Sequence, residues 1–168
     1  FSWLEEEDYI IKSPMKRIHK VKTAMIDFLL STGIRVGELV RLNIDDIDFS
    51  ERECVVYGKG DKERKAYFDV KTKIHLLNYI ESRTDDNSAL FVSLNKPHSR
   101  LAESGVELRL REMGKKLGVE KVYPHKFRRT MATRAIEKGM PIEQVQKILG
   151  HEQIDTTLRY AMVNQNNV

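Results

Sequence analysis

The sequence predicts an α+β domain in which helices dominate and one small three-stranded antiparallel sheet interrupts them. Three observations carry that expectation. Apolar residues recur at helical spacing along most of the chain, strand-like runs lie on both sides of the glycine-containing turn GKGDKER, and no internal repeat, low-complexity tract or Pro/Gly/Ser-rich linker divides the sequence. A chain of 168 residues, 40% apolar and 32% charged, is long enough for one cooperative core. A single domain over residues 1–168 is therefore expected.

From Met15 to Leu30, the residues Ile18, Val21, Met25, Phe28 and Leu29 follow a helical period, and Ser31-Thr32-Gly33 ends the run. RVGELVRL predicts a second, short helix. DIDF, ECVVY and KAYFDV have the alternation or β-branched content of strands, and Gly58-Lys59-Gly60-Asp61 reads as a hairpin turn with glycines where positive φ is needed. Val70, Ile74, Leu77 and Ile80 predict the next helix, and ALFVS a short strand. Val106, Leu110, Met113 and Leu117 mark a further amphipathic helix that Gly118 stops. Phe127, Met131 and Ala135 trace one face of a helix ended by Gly139. Pro141 opens another, with Ile142, Val145, Ile148 and Leu149 apolar, and a last helix runs through Leu158 and Met162 with Asp155 or Thr156 as its N-cap.

Charge and cysteine content bound the function classes. Lys+Arg 29 against Asp+Glu 25 gives +4 and a pI near 9.1, a lean toward polyanions without a tail-like excess. The single cysteine, Cys54, excludes an intrachain disulfide, and no apolar run approaches the roughly 20 residues of a membrane-spanning helix. A reducing, cytoplasmic setting is expected. The chain begins at Phe1 without a signal-like pattern and ends in NQNNV, which predicts a domain belonging to a longer protein.

Four stretches carry candidate chemistry. In HKFRR, His125 and Arg128 stand three apart on a predicted helix and share a face, so together they can bind one anion. Alone, and followed by Arg129 and Arg134, the same pattern describes a solvated basic face. In TGIRVGEL, Arg35 follows a turn at a helix start, where backbone N–H groups favour a phosphate, and Glu38 is one helical turn on and able to orient its neighbours. The bland alternative is a surface i,i+3 ion pair worth a few tenths of a kcal/mol. Lys59 sits between two glycines in the hairpin, with Lys62, Arg64 and Lys65 close behind. Such a tip is either simply solvated or a mobile proton donor that reaches into a DNA groove. In LGHEQIDTTLRY, His151 follows a glycine helix stop and Tyr160 lies on the last helix. There the choice is between an aromatic packed on the core and a nucleophile whose phenolate needs neighbouring cations or a base.

Taken as a set, two arginines, two histidines, a lysine and a tyrosine with no carboxylate cluster for a divalent metal resemble the active site of the tyrosine recombinases, the phage integrase family. TGIRVGEL is similar to that family's first-arginine box and GKGDKER to its β-hairpin lysine. HKFRRTMAT is similar to its H-x-L-R box with Phe127 in place of leucine, and LGHEQIDTTLRY to its last box. The boxes occur in the family's order, and the resemblance runs from SWLEEEDYI to RYAMVN.

The resemblance implies the integrase catalytic-domain fold and a metal-independent DNA strand transferase with no cofactor. Tyr160 would attack a phosphodiester of double-stranded DNA to give a 3′-phosphotyrosyl link, with Arg35 and Arg128 on the non-bridging oxygens. Lys59 would protonate the departing 5′-oxygen, His125 would assist proton transfer, and His151 would hydrogen-bond the phosphate. Glu38 would support from behind, and Lys62, Arg64 and Arg129 would contact DNA. The family's N-terminal DNA-clamping domain has no counterpart in the sequence, and only AMVNQNNV follows Tyr160. The resemblance thus implies a tetramer of the full-length protein on DNA, a fragment monomeric alone, and a bacterial or host cytoplasm.

Three alternatives remain in view. A type IB topoisomerase shares this chemistry, although the short step from Arg35 to Lys59 and the TTLRY context look more like integrases. A non-catalytic helix-turn-helix module fits MPIEQVQKILGHEQIDTTLRY by length and glycine punctuation, but has no need of Arg35, Lys59, His125 and Tyr160 together. For a metal-dependent nuclease, His19, His75, His98, His125 and His151 show no ligand spacing.

Overall fold

Helix α1 (Pro14–Thr32) is the spine of the protein, because Val21, Ala24, Met25, Phe28 and Leu29 recur at i, i+3, i+4, i+7 and i+8 and are all buried. Each large apolar side chain in that stripe contributes about 1.5–3 kcal/mol on leaving water. The computed structural model describes residues 14–58, 60 and 62–165, with side chains described for 17–58, 60, 62–160 and 162. The opening SWLEEEDYI, together with Lys59 and Asp61, lies outside the described residues.

Gly33, at φ +62°, reverses the chain after α1 and leads into α2 (Val36–Arg41). A 3-10 turn over Ile44–Asp46 precedes β1 (Ile47–Asp48), β2 (Glu53–Tyr57) and β3 (Glu63–Tyr67), which form one antiparallel sheet in the order β1-β2-β3. Ile47 pairs with Cys54, and the β2–β3 register runs from Glu53↔Tyr67 to Tyr57↔Glu63. Cys54, Val56 and Ala66 point inward, and Phe68 beyond β3 packs its ring 5.7 Å from Phe28 of α1. The small predicted sheet is therefore present, and α1 is what it packs on. Of the two turn glycines, only Gly60 (φ +72°) is left-handed. Gly58 instead closes the hairpin through its N–H to the Lys62 carbonyl, 2.8 Å away.

Helix α3 (Val70–Glu81) is capped by Asp69, which accepts from the Thr72 N–H at 2.8 Å. Its buried face differs from the expected one. Thr72, Leu76 and Tyr79 are buried, while Val70, Ile74 and Leu77 are 54%, 51% and 42% exposed, and of the expected stripe Ile80 is partly buried against the core. Asp27 of α1 fixes that choice by accepting from Lys71 at 3.3 Å and pairing with the His75 ring. The ALFVS stretch is not a strand. Ala89, Leu90, Phe91 and Val92 are buried in succession, but they make only single bridges, Asn43↔Ala89 and Val92↔Arg100. Phe91 stacks on Tyr79 at 5.3 Å.

Helix α4 (Glu103–Lys116) buries Val106 and Leu110, whereas Leu117 lies past its end and is 71% exposed. Helices α5 (Pro124–Glu137), α6 (Ile142–Leu149) and α7 (Ile154–Gln165) follow among the described residues. α7 starts one residue before Asp155, so Asp155 and Thr156 occupy its first turn instead of capping it. Ala132, Val145 and Leu149 form a second, smaller cluster, with Met131, Ala135, Ile136, Met140 and Tyr160 packed against it. The expected α+β domain thus has two apolar centres of unequal size, and the candidate residues gather where they meet. Among the described residues, no helix is long and apolar enough to cross a membrane.

Candidate active site

Arg35 is held by the helix it precedes. It is the N-cap residue of α2, and the Glu38 carboxylate one turn on accepts from the Arg35 backbone N–H at 2.7 Å and from its Nη1 at 3.2 Å. Glu38 therefore takes one backbone N–H at the helix start, that of Arg35 itself. The Arg35 guanidinium reaches across to the Gly150 carbonyl at 3.4 Å and stays 37% exposed, while Glu38 is 2% exposed.

Arg128 is the buried cation of the site. It projects from α5 and donates from one guanidinium nitrogen to the Gly33 carbonyl and from another to the Leu149 carbonyl. It thereby ties the α1–α2 turn to the end of α6. Burial, and then the like charges of Arg35 and Arg64, push its pKa down to about 10. His125, three residues earlier, is exposed on the first turn of α5. A cleft of about 470 Å³ is lined by Arg35, Glu38, Gly58, His125 and Arg128.

His151 is placed by a helix stop. Gly150 adopts φ +62°, and the His151 N–H returns to the Gln146 carbonyl at 3.1 Å, the six-to-one bond of a Schellman ending. The His151 ring Nδ1 is 2.8 Å from the hydroxyl of buried Thr157. Burial, then Arg128, Arg35 and Arg64, lower its pKa to about 4, so the ring is neutral near pH 7. Thr157 and Tyr160 lie three apart on α7, which puts both beside that ring. The Tyr160 and His151 ring centroids are 6.0 Å apart and tilted by 35°. Tyr160 is half-buried against the smaller cluster, and α7 belongs to the same chain as Arg35 and Arg128.

A second cleft, about 530 Å³, is lined by Arg35, Lys62, Arg64, Lys147, His151 and Thr156 among others, and it shares Arg35 and Gly58 with the first. The structure thus brings together Arg35, Glu38, His125, Arg128, His151 and Tyr160, as the sequence motifs implied. Lys59 lies outside the described residues, but the turn that carries it starts at the site. A Cβ built on Gly58 would lie 3.8 Å from Glu38 Oε1 and 3.9 Å from Arg35 Nη1.

The three basic residues expected on DNA differ from one another. Arg129 is exposed on α5. Lys62 is exposed and paired with Glu152 at 3.0 Å. Arg64 is drawn inward instead, only 12% exposed, with Nη2 on Glu38 Oε2 and Nη1 on the Ile148 carbonyl, each at 2.7 Å. Both of its terminal nitrogens are bonded within the protein, so Arg64 lines the cleft as a braced side chain, unlike exposed Lys62 and Arg129. Thr157 is the residue that sequence reasoning passed over. Only its spacing from Tyr160 in DTTLRY could have pointed to it. Among the described residues, no group of three His, Cys, Asp or Glu side chains could hold a metal ion.

Comparison with known proteins places this arrangement. The family model described as the phage integrase family matches residues 4–167. Tyrosine recombinase XerA of Pyrococcus furiosus is 38% identical over 152 residues, covering 89% of this chain and 53% of its own. Tyrosine recombinase XerC of Staphylococcus aureus is 35% identical over 147 residues, covering 86% and 49%. The crystal structure of XerA recombinase superposes with TM-score 0.75 at 34% identity, over 92% of this chain and 63% of that one. The fold also matches the XerH site-specific recombinase solved on its difH substrate before cleavage, with TM-score 0.70 at 23% identity over 88% and 48% of the two chains. The chain spans about half the length of the curated relatives it matches. With its motifs in order and its fold shared, the chain belongs to the phage integrase family.

Proposed function

We propose that this chain is the catalytic domain of a site-specific DNA recombinase that breaks and rejoins strands through Tyr160. The observation that supports it best is convergence: Arg35, Arg128, His151 and Tyr160, from four separate elements, meet beside two adjoining clefts. Tyr160 Oη attacks the phosphorus, the P–O5′ bond breaks, and the strand is held as a 3′-phosphotyrosyl ester with a free 5′-hydroxyl. Arg35 and Arg128 hold the non-bridging oxygens, and their fixed forks stabilise the charge that builds in the pentacoordinate transition state. With Nδ1 accepting from Thr157, neutral His151 presents Nε2–H to the same phosphate.

His125 takes up the phenol proton, and Lys59 protonates the 5′-oxygen as it leaves. Reversal by another 5′-hydroxyl rejoins the strand, and the ester conserves the bond energy without ATP. The cations do the charge stabilisation that metal ions perform at other phosphoryl-transfer sites, so the proposed reaction requires no cofactor. The partner is double-stranded DNA, bound by a tetramer of the full-length protein in a bacterial or host cytoplasm.

The test is covalent capture from a pool of nicked duplexes with randomised arms, read on a denaturing gel in the presence of EDTA. Wild type is expected to give a protein–DNA band that chelator leaves intact, and Tyr160→Phe to bind the selected duplex without forming one. A band in the Phe variant removes Tyr160 as nucleophile. Specific binding by wild type with no band in any duplex favours a non-catalytic helix-turn-helix module.

A further inference from the structure

We propose that Arg64 is a positioning residue for strand cleavage, holding Arg35 and the His151 turn in register through two hydrogen bonds that only a guanidinium makes at once. The proposal rests on the recombinase reading and adds a residue that touches neither the scissile phosphate nor the nucleophile.

Arg64 stands on β3, yet both of its terminal nitrogens leave the sheet. Nη2 bonds Glu38 Oε2 at 2.7 Å, and that same oxygen accepts from the Arg35 N–H at 2.7 Å, while Oε1 takes Arg35 Nη1 at 3.2 Å. Arg35 and Arg64 therefore hang on one carboxylate. On its other edge, Nη1 bonds the Ile148 carbonyl at 2.7 Å, next to the Leu149 carbonyl that receives Arg128. Between these contacts the side chain lies flat on Gly150. A Cβ there would stand 2.8 Å from Arg64 Cδ and 2.9 Å from Nε. One side chain thus links the strand beyond the Lys59 turn, the first-arginine box and the glycine that sets His151.

A buried ion pair is weak evidence for a stabilising role. Burial pushes the Arg64 pKa down against the opposing pull of Glu38, Arg35 adds to the lowering, and Nε is buried with no hydrogen-bond partner among the described residues. Buried ion networks of this kind are commonly replaced by apolar groups without loss of stability. Arg35, Arg64 and Arg128 surround a single buried carboxylate, an excess of positive charge suited to an arriving phosphate. Lysine cannot substitute, because one ammonium on a flexible stem does not bridge two acceptors lying in different directions.

The experiment uses the full chain and the nicked duplex captured by wild type, with single-turnover adduct formation, DNA affinity and thermal unfolding measured on Arg64→Lys and Arg64→Ala. Both variants are expected to bind DNA as wild type does and to form adduct about 10–100-fold more slowly, the range typical of lost outer hydrogen-bond partners. Added guanidinium ion should recover part of the rate of Arg64→Ala, and ammonium ion should not. Arg64→Lys retains the charge and most of the aliphatic stem, and so separates misplacement from failure to fold. Full activity in a folded variant, recovery by lysine alone, or a defect confined to DNA affinity would each overturn the proposal. Absence of adduct from wild type would instead overturn the recombinase reading itself.

Discussion

His151 is kept neutral near pH 7 by burial first and by neighbouring cations second. Its pKa falls to about 4 through burial and then through Arg128, Arg35 and Arg64. Since the folded value lies below the ordinary 6.5, the unfolded chain binds the extra proton more readily. This contribution to stability is complete above about pH 6.5 and is lost as the pH falls toward 4. Two outcomes are expected. The His151 ring protons should titrate near pH 4 in an NMR series, and the urea midpoint should fall between pH 6.5 and 4 more steeply in wild type than in His151→Gln. Thr157→Val tests the partner of the ring. It removes the hydroxyl from Nδ1 at nearly constant volume, and should cost about 1 kcal/mol of stability and about tenfold in cleavage rate with DNA affinity kept. An unchanged rate would show that the tautomer is set by something else.

Helix α3 shows how far an element can be read from its own residues. Its twelve residues hold two apolar stripes, and the one through Val70, Ile74 and Leu77 is the more regular, yet α1 takes Leu76 and Tyr79. The arbiter is Asp27, forty-odd positions away in sequence, whose bonds to Lys71, His75 and Thr72 rotate the helix. Leu76→Ala should therefore cost about 2–5 kcal/mol in chemical denaturation. Ile74→Lys should change stability by no more than about 0.5 kcal/mol. The reverse order would restore the face that the sequence favours.

ALFVS and α7 repeat the lesson. Four consecutive buried residues look like a strand, yet they make only single bridges and no continuous ladder, and Asp155 looks like a cap until Ile154 is already helical. The grouping of the candidate residues was more legible than which faces of the elements are buried. Arg35 with Glu38, His125 with Arg128, and His151 with Tyr160 are each set by local helical spacing or a glycine stop. What local spacing does not encode is the brace: Arg64 meets Glu38 across 26 positions and Ile148 across 84. A basic residue just past a hairpin gives no sign of turning inward.

At the scale of the molecule, the two apolar centres divide the candidate site. Arg35 and Glu38 rest on the larger one with α1, α2 and the sheet, whereas Tyr160 rides on a cluster with only Ala132, Val145 and Leu149 fully buried. Few buried contacts mean a low free energy of local opening, and α6 and α7 should open before α1 does. Leu149 packs beside Gly33, and polar links add to that contact: Arg128 to the Gly33 and Leu149 carbonyls, Arg64 to the Ile148 carbonyl, Arg35 to the Gly150 carbonyl, and the exposed pair Lys62–Glu152. Such links hold geometry well and contribute less to cohesion than apolar area does. Native-state hydrogen exchange tests this division. Amides of α7 are expected to exchange through a sub-global opening, those of α1 only through global unfolding, and bound duplex DNA should protect α6 and α7 more than α1. If α7 exchanges only with the global transition, the tyrosine helix is as fixed as the core, and delivery of Tyr160 cannot be a local motion.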